Sequence, residues 1–394
     1  MRLFINALAA SAGGGLTYIR NLIPHLANLR ELQIAVLAAP GIRQEFPAFP
    51  NVEFIEMELS TAQRFWSEQF KLPQLLGSWR AQVLVSAGNF ALRNSPVPQI
   101  LLSRNSLYTS GDFYRDLLSR HEYRMCLDTR IRGALARRSI HWADATVAPS
   151  EAFAVELRSW SGAQNVVAIH HGFDLETFTA DSSPLPVQVE QRLSAADGAL
   201  KLLFVSHYNY YRNFETLIRA LPALRDSLAK LNVKLLLTCK LVPGENPGAY
   251  RPDAAARLVT ELGVGDMIVE LGAIAYRQLH HLYRRADAYV TPAYTETFAH
   301  PLVEAMGCGL PIVASDLAVH REICGDAALY FPRFSPKSLA ERVLQVLSSD
   351  DVQHSLRAKG SARSAAFGWR KHVDQLLALA ASLTGNNLGT SCIL

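Results

Sequence analysis

Short apolar runs alternate with longer stretches of helical periodicity along the whole of this chain, and the alternation occurs twice. In the first half the candidate strands are RLFIN, LQIAVLAA, VEFIEM, QVLVSAG, QILLS, ATVAPS and VVAIHHG. In the second half they are LKLLFVS, VKLLLTC, MIVELGA, ADAYVTP and PIVAS, with ALYF after them. Amphipathic patterns such as TYIRNLIPHLANL and FETLIRALPALRDSL lie between. Strand, helix and strand in succession imply parallel sheets joined by right-handed crossovers. We therefore expect an α/β protein built from two Rossmann-like, doubly wound domains.

At 394 residues the chain suits two domains of roughly 150–200 residues each. The boundary is expected in Asp174–Ala199, which contains SSPLP and lacks apolar periodicity. The expected domains are 1–175, completed by a closing helix over about 367–384, and 198–366. With 49% apolar residues a sizeable core is available. A net charge of +4 is too mild to argue for nucleic acid. No apolar run approaches the roughly 20 residues that span a bilayer. The opening MRLFINALAASAGGG superficially suggests a signal peptide. We read it as a first buried strand and a glycine turn, because an amphipathic helix follows directly. Cys126, Cys239, Cys308, Cys324 and Cys392 are scattered and show no CxxC spacing, which argues for a reducing, cytoplasmic compartment and against a zinc site. The tail GNNLGTSCIL reads as frayed.

The stretch Tyr294–Asp316, YTETFAHPLVEAMGCGLPIVASD, carries the chemistry. A strand ends before it. A turn of Thr297, Phe298 and Ala299 follows, and Pro301 opens a helix, since proline fits the first helical turn. The free N–H groups there favour an anion, phosphate above all. Glu296 and Glu304 stand eight residues apart around this turn. We expect Glu304 on the first helical turn, within reach of sugar hydroxyls at the phosphate site. The bland alternative is two solvated acids beside an ordinary helix.

ETFAHPLVEAMGCGLPIVASD closely resembles the signature of retaining family-4 glycosyltransferases of the GT-B fold, whose two domains face each other across a cleft. The usual pattern is Glu-Gly-Phe-Gly-x-Pro-x-x-Glu-Ala-Met-Ala-x-Gly-x-Pro-Val-Val-Ala. The chain keeps Glu296, Phe298, Pro301, Glu304, Ala305, Met306, Gly309, Pro311 and Ala314, and has Thr297 and Ala299 where glycines are usual. HHGFDLETF resembles the family's interdomain segment, and FGWRKHVDQLLALAASL its closing helix. After LKLLFVS, the family's diphosphate grip usually reads Gly-Arg-x-x-x-x-Lys-Asn. Here Arg212 and Asn213 stand at Lys-Asn, and His207 stands at the arginine position. A guanidinium can bind two phosphate oxygens at once, so the first change preserves the chemistry. His207 neutralises phosphate only if protonated. The bland reading makes Arg212 a surface cation and His207 a strand cap.

Two more places bear on ligands. Gly13, Gly14 and Gly15 follow the first strand and let a ligand approach the helix start, as similar glycine loops do in the family. A dinucleotide loop is the weaker reading, because the third glycine of GxGxxG is missing and no acid ends the second strand. Many members carry His-Asp after the strand matching QILLS; this chain has Arg104 and Asn105 near that place, candidates for the acceptor side. The segment 104–141 also holds eight arginines against Asp112, Asp116, Glu122 and Asp128. It reads either as a helix face with internal ion pairs or as a surface for anionic lipid or a lipid-diphosphate acceptor.

The resemblance implies transfer of a hexose, with GDP-mannose a candidate donor, to a glycan or lipid-linked acceptor in polysaccharide assembly. It implies retention of configuration, no bound metal and no cofactor. Glu296 would contact the sugar ring, Arg212 and His207 the diphosphate. Gly14, Gly15, Asn213, Thr297, Phe298, Ala299, His300 and Glu304 would line the donor. The setting would be cytoplasmic, with peripheral contact to an anionic membrane. The rival classes are a non-catalytic GT-B partner subunit or nucleotide-sugar-binding protein, and, more weakly, a dehydrogenase.

Overall fold

The computed structural model describes residues 1–10, 13–59, 61–228, 232–246 and 250–385. Cys392 and all of the GNNLGTSCIL tail beyond Gly385 lie outside them. The chain divides into two compact units. The first comprises Met1–Thr109, Glu122–Gly172 and Gly368–Leu394; the second comprises Ser110–His121 and Phe173–Phe367.

The first unit carries β1 (Arg2–Asn6), α1 (Gly13–Ala27), β2 (Gln33–Ala38), β3 (Val52–Glu56), α2 (Thr61–Phe70), α3 (Leu72–Ser78), β4 (Val83–Ser86) and β5 (Gln99–Leu102). The chain then leaves for the second unit through α4 (Gly111–Ser119) and returns as α5 (Tyr123–Trp142), β6 (Ala145–Ala148), α6 (Glu151–Ser161) and β7 (Val166–Ala168). In the second unit follow α7 (Leu175–Thr179), α8 (Val187–Ser194), β8 (Leu200–Phe204), α9 (Phe214–Ser227), β9 (Val233–Leu237), α10 (Asp253–Glu261), β10 (Ile268–Glu270) and α11 (Leu279–Tyr283). It ends with β11 (Ala288–Thr291), α12 (His300–Gly307), β12 (Ile312–Ser315), α13 (Ala318–Cys324), β13 (Ala328–Phe331), α14 (Pro336–Leu347) and α15 (Asp350–Ser364). Helix α16 (Trp369–Thr384) goes back to the first unit.

Both sheets are parallel throughout. The first has the order β3-β2-β1-β4-β5-β6-β7 and the second β10-β9-β8-β11-β12-β13. Every residue of β4, β5, β6, β11 and β12 is buried, the condition that crossover helices on both faces impose. One face of the first sheet packs Leu3, Ile5, Val36 and Val85 against Tyr18, Leu22 and Leu26 of α1 and Trp369, Val373 and Leu376 of α16. On the other face Phe4, Leu37 and Leu84 meet Leu72 and Leu76 of α3.

In each sheet the strand order reverses once, between β1 and β4 and between β8 and β11. Crossovers on the two sides of such a point run to opposite faces. They leave a crevice beyond the carboxyl ends of the strands, where ligands of doubly wound sheets bind.

The division departs from the expected one in two places. The chain passes to the second unit at Phe173, because Phe173 accepts no place in the first sheet and its N–H bonds the carbonyl of Phe367 at 2.7 Å. Ser110–His121 also joins the second unit. There Asp112 pairs with Arg333 (2.7 Å), Asp116 accepts from the Tyr294 hydroxyl (2.8 Å), and Arg120 bridges Asp116 (2.7 Å) and Glu215 (2.9 Å). The arginines between Arg115 and Arg138 therefore do not share one surface of the first unit. Arg115 and Arg120 sit on the second, each paired with an acid of its own helix.

Candidate active site

In the second unit, β8 and β11 end side by side at the point of reversal, and both ends carry residues singled out in the sequence. Beyond β8 comes a single 3-10 turn, Tyr210–Arg212, then Asn213 in the left-handed region (φ 55) and α9. Beyond β11 come Glu296 and α12. The Arg212 guanidinium forms an ion pair with the Glu296 carboxylate, 84 positions away in sequence. Its Nε is buried with no hydrogen-bond partner. Burial pushes Glu296 up, but the Arg212 charge and the Thr297 N–H, which donates to Glu296 at 3.0 Å, hold it below the usual carboxylate range. Burial disfavours the charged Arg212 too, yet Glu296 outweighs this and keeps the guanidinium charged. An ion pair with one N–H direction left over is suited to sharing its cation with an arriving phosphate.

His207 lies at the surface three residues beyond β8, and partial desolvation together with the nearby Arg212 charge pulls its pKa down. At neutral pH it is an uncharged hydrogen-bonding group until an anion offsets Arg212. Asn213 is buried and structurally committed. It donates to the Pro292 carbonyl at 3.0 Å and accepts from Thr216 at 2.8 Å, which ties the start of α9 to the end of β11. Phe298 is a core side chain edge-on to Phe367, with ring centroids 5.6 Å apart, so only its backbone can face a ligand. Its neighbour His300 opens α12. Ala299 caps α12 at φ 65, the left-handed region that costs a residue with a Cβ about 1 kcal/mol. The family's usual glycine would adopt it freely.

The structure corrects one expectation. Glu304 lies in the second turn of α12, not the first, and is buried rather than open to the phosphate-facing end. It accepts a hydrogen bond from the Tyr283 hydroxyl at 2.8 Å. Burial pushes its carboxyl up to about 7, against the lowering effect of that bond. Sequence reasoning missed Tyr283, which carries no motif, and also His320. The His320 ring is fully buried. Its Nδ1 donates to the Ser315 carbonyl at 2.8 Å, so Nε2 carries the lone pair, and Nε2 has no partner. It lies within electrostatic reach of both Glu296 and Arg212. Nothing local in AVHREI distinguishes it; only the tertiary structure brings it to the pair.

In the first unit, Gly14 and Gly15 belong to the first turn of α1. A Cβ on Gly15 would fall 3.2 Å from the Ala10 Cα, so close packing favours glycine there, whereas Gly14 faces open space. Arg104 follows β5 and reaches back to the carbonyl of Ala87. Asn105 accepts from the Leu107 N–H at 3.0 Å and caps the short turn after β5, a structural use of its side chain.

A cavity of about 840 Å³ also opens in the second unit, between α4, α9 and α10. It shares Asn213 with the site but none of His207, Arg212, Glu296 or Glu304, so volume does not mark the chemistry. Among the described residues, no group of three or more His, Cys, Asp or Glu is placed to hold a metal ion.

Two family profiles match the chain: Glycosyltransferase Family 4 over residues 12–177 and Glycosyl transferases group 1 over 188–363. The chain belongs to the family-4 glycosyltransferases. Its fold is GT-B. A sucrose-phosphate synthase from Thermosynechococcus elongatus aligns at a TM-score of 0.75 and 20% identity, over 98% of this chain and 99% of that one, a likeness of fold. Among curated relatives, a D-inositol 3-phosphate glycosyltransferase of Catenulispora acidiphila is 29% identical over 60% of this chain and 57% of its own length. An O-antigen chain mannosyltransferase B of Escherichia coli is 32% identical over 27% of this chain and 28% of its own. The chain thus spans about half the length, or less, of the curated relatives it matches.

Proposed function

We propose that this glycosyltransferase-family chain moves a hexose from a nucleoside-diphosphate sugar to a glycan or lipid-linked acceptor, retaining anomeric configuration and using no bound metal. The Arg212–Glu296 ion pair at the reversal point of the second sheet carries this reading. Beside it, α12 begins and has no acid in its first turn, so its positive end faces the site without a carboxylate of its own. As the glycosidic bond breaks, negative charge grows on the departing diphosphate. Arg212, through Nε as well as its terminal nitrogens, and the positive end of α12 would meet it. Glu296, kept ionised by Arg212, would hold the sugar ring and stabilise positive charge at the anomeric carbon. Glu304 is occupied by Tyr283, so the second carboxylate that a double displacement needs is not at hand. Attack from the face the diphosphate leaves is the more economical route to retention.

The mannosyl donor draws support from the Escherichia coli mannosyltransferase, over about a quarter of the chain. An anionic acceptor phosphate draws support from the inositol-phosphate enzymes. We place the reaction in surface-polysaccharide assembly at the cytoplasmic face of a membrane. Among the described residues no helix is long and apolar enough to cross one.

Turnover of a panel of nucleotide sugars by the purified chain, followed by nucleoside-diphosphate release, tests the proposal. Arg212→Ala should cost roughly 2–4 kcal/mol of transition-state stabilisation, and Arg212→Lys should restore part of it. Turnover of Arg212→Ala equal to the parent's would remove the diphosphate role. Tight nucleotide binding with no turnover of any donor would instead make this a non-catalytic member of the family.

A further inference from the structure

The cavity of about 840 Å³ between α4, α9 and α10 is lined by none of the groups given a chemical role above, yet its walls are firmly held. Helix α4 is fixed to the second unit by Asp112 on Arg333 (2.7 Å), Asp116 on the Tyr294 hydroxyl (2.8 Å) and Arg120 on Glu215 (2.9 Å). The charges on that wall are thereby spent on one another. Other lining charges are not. Among the described residues, Arg219 of α9 and Arg257 and Glu261 of α10 enter no ion pair and no side-chain hydrogen bond.

Phe334 adds an apolar face to the same cavity. It is 50% exposed, and its ring centre lies 5.4 Å from that of Tyr294, the planes tilted by 35°. Its backbone φ is 64, in the left-handed region that a bulky side chain avoids. The fold thus bears backbone strain at a residue whose ring stays half in solvent, so core packing does not account for it. Strain of this kind collects at ligand sites.

The walls also select the ligand. Four acids and four arginines line the cavity, so it has no net charge to draw in an ion. An anion would meet Glu261, and a cation would meet Arg219 and Arg257, a like charge in either case. An apolar molecule would strip water from these charges and return no hydrogen bond. A neutral sugar suits every surface present. Its hydroxyls accept from a guanidinium and donate to a carboxylate, while its C–H face lies on an aromatic ring. The volume falls within the range of about 300–1,000 Å³ usual for ligand pockets, and leaves room for more than one sugar ring.

We propose that this cavity is a second binding site, for a neutral oligosaccharide, with Phe334 as its stacking platform and Arg219, Arg257 and Glu261 as its hydroxyl partners. As a hold on the glycan acceptor, which keeps the reacting end at high effective concentration near Arg212 and Glu296, it rests on the glycosyltransferase reading. As a glycan site it does not.

The test is ligand-observed saturation-transfer NMR of the full chain with mannotetraose and, separately, with maltotetraose, each with and without a saturating nucleoside diphosphate. The parent should transfer saturation to the ring C–H protons of at least one tetraose, whether nucleotide is present or absent. In Phe334→Gly that signal should fall about fivefold or more. The same variant should melt no lower than the parent, because glycine adopts this backbone freely. Replacing Arg219 and Arg257 together by Ala should weaken binding about threefold or more, and nucleotide affinity should be unchanged in every variant. No saturation of either tetraose by the parent overturns the proposal. So does an equal signal in Phe334→Gly, above all with a lowered melting temperature, the mark of a ring that serves only the fold. A signal lost in Glu296→Gln but kept in Phe334→Gly also overturns it, since the glycan would then lie at the donor site. If Phe334→Gly does not fold, the double arginine variant decides, and an unchanged signal there overturns the proposal. A parent that binds a tetraose at this cavity but no nucleoside diphosphate would sustain this site and sink the glycosyltransferase reading instead.

Discussion

Glu304 shows how one residue couples the fold to pH. Its carboxyl titrates at about 7 in the fold, against an ordinary value of 4.5. The folded chain therefore holds this proton more tightly than the unfolded chain. Linkage gives the sign: the group is neutral and harmless below about pH 4.5. Its cost to folding grows as pH rises from 4.5 to 7 and is full above that. The shift corresponds to about 3 kcal/mol at most. Glu304→Gln keeps an acceptor for Tyr283 and cannot ionise. It should match the parent within about 1 kcal/mol near pH 5 and be up to about 3 kcal/mol more stable at pH 8, as measured by urea unfolding. A stability difference that does not change with pH would show that Glu304 is already ionised in the fold. Arg212 and Glu296 behave differently, because each supplies the charge that keeps the other ionised.

At the level of single elements, α5 is unusual. Its buried face is small and tight, with Cys126, Thr129, Gly133 and Ala136. Its opposite face exposes Tyr123 (60%), Leu127 (61%) and Ile131 (62%), four residues apart and hence on one line. Arg124, Arg130, Arg137 and Arg138 are exposed along the helix, and no acid occurs between Asp128 and Asp144. An apolar line with flanking arginines suits a helix lying in the headgroup region of an anionic bilayer, stems buried and charges at the phosphates. Stacked Trp66 and Phe70 of α2 are exposed too, and Tyr108 feels both Arg64 of α2 and Arg132 of α5. The chain should co-sediment with anionic vesicles at low salt and release as salt rises. Changing Arg124, Arg130, Arg137 and Arg138 to Gln should weaken this by about 4 kcal/mol, near a thousandfold, while nucleotide binding persists. No sedimentation at low salt would leave the stripe without a bilayer partner. The rest of the arginine-rich segment is ordinary: Arg115, Arg120 and Arg132 pair with acids three or four residues away.

For the molecule as a whole, the last helix decides whether the first unit closes. Trp369, Val373, Leu376, Leu377 and Ala380 of α16 are buried in the core of the first sheet. Gly172 is the bed for Trp369, since a Cβ there would lie 2.4 Å from the indole ring. Burial of four large apolar side chains is worth about 6–12 kcal/mol, comparable to the whole stability of a domain. Removing residues 368–394 should therefore expose the first unit to limited proteolysis. The second unit, to which α16 does not belong, should survive and still bind nucleoside diphosphate. Equal protease resistance of both units would show that α16 is dispensable.

What was legible in the sequence was local and periodic. Each strand read as an apolar run is present as a strand, because a central parallel strand covered on both faces excludes charged residues wherever it lies in the chain, while the edge strand β3 shows itself by its β-branched and aromatic residues. The helix start at Pro301 and the small turn before it were legible for a similar reason: proline and the backbone N–H groups impose their geometry within a few residues. The tertiary structure alone decided what lies beyond that range. Arg212 meets Glu296 across 84 positions, and no spacing rule links residues on crossovers of different strands. Glu304 was expected to face the ligand, but its exposure depended on Tyr283, set by the packing of α11 against α12. The residues 110–121 read as part of a basic face of the first unit. Their acids found Arg333, Tyr294 and Arg120 on the second unit. Periodicity shows which face of an element is buried; only the assembled fold shows against what.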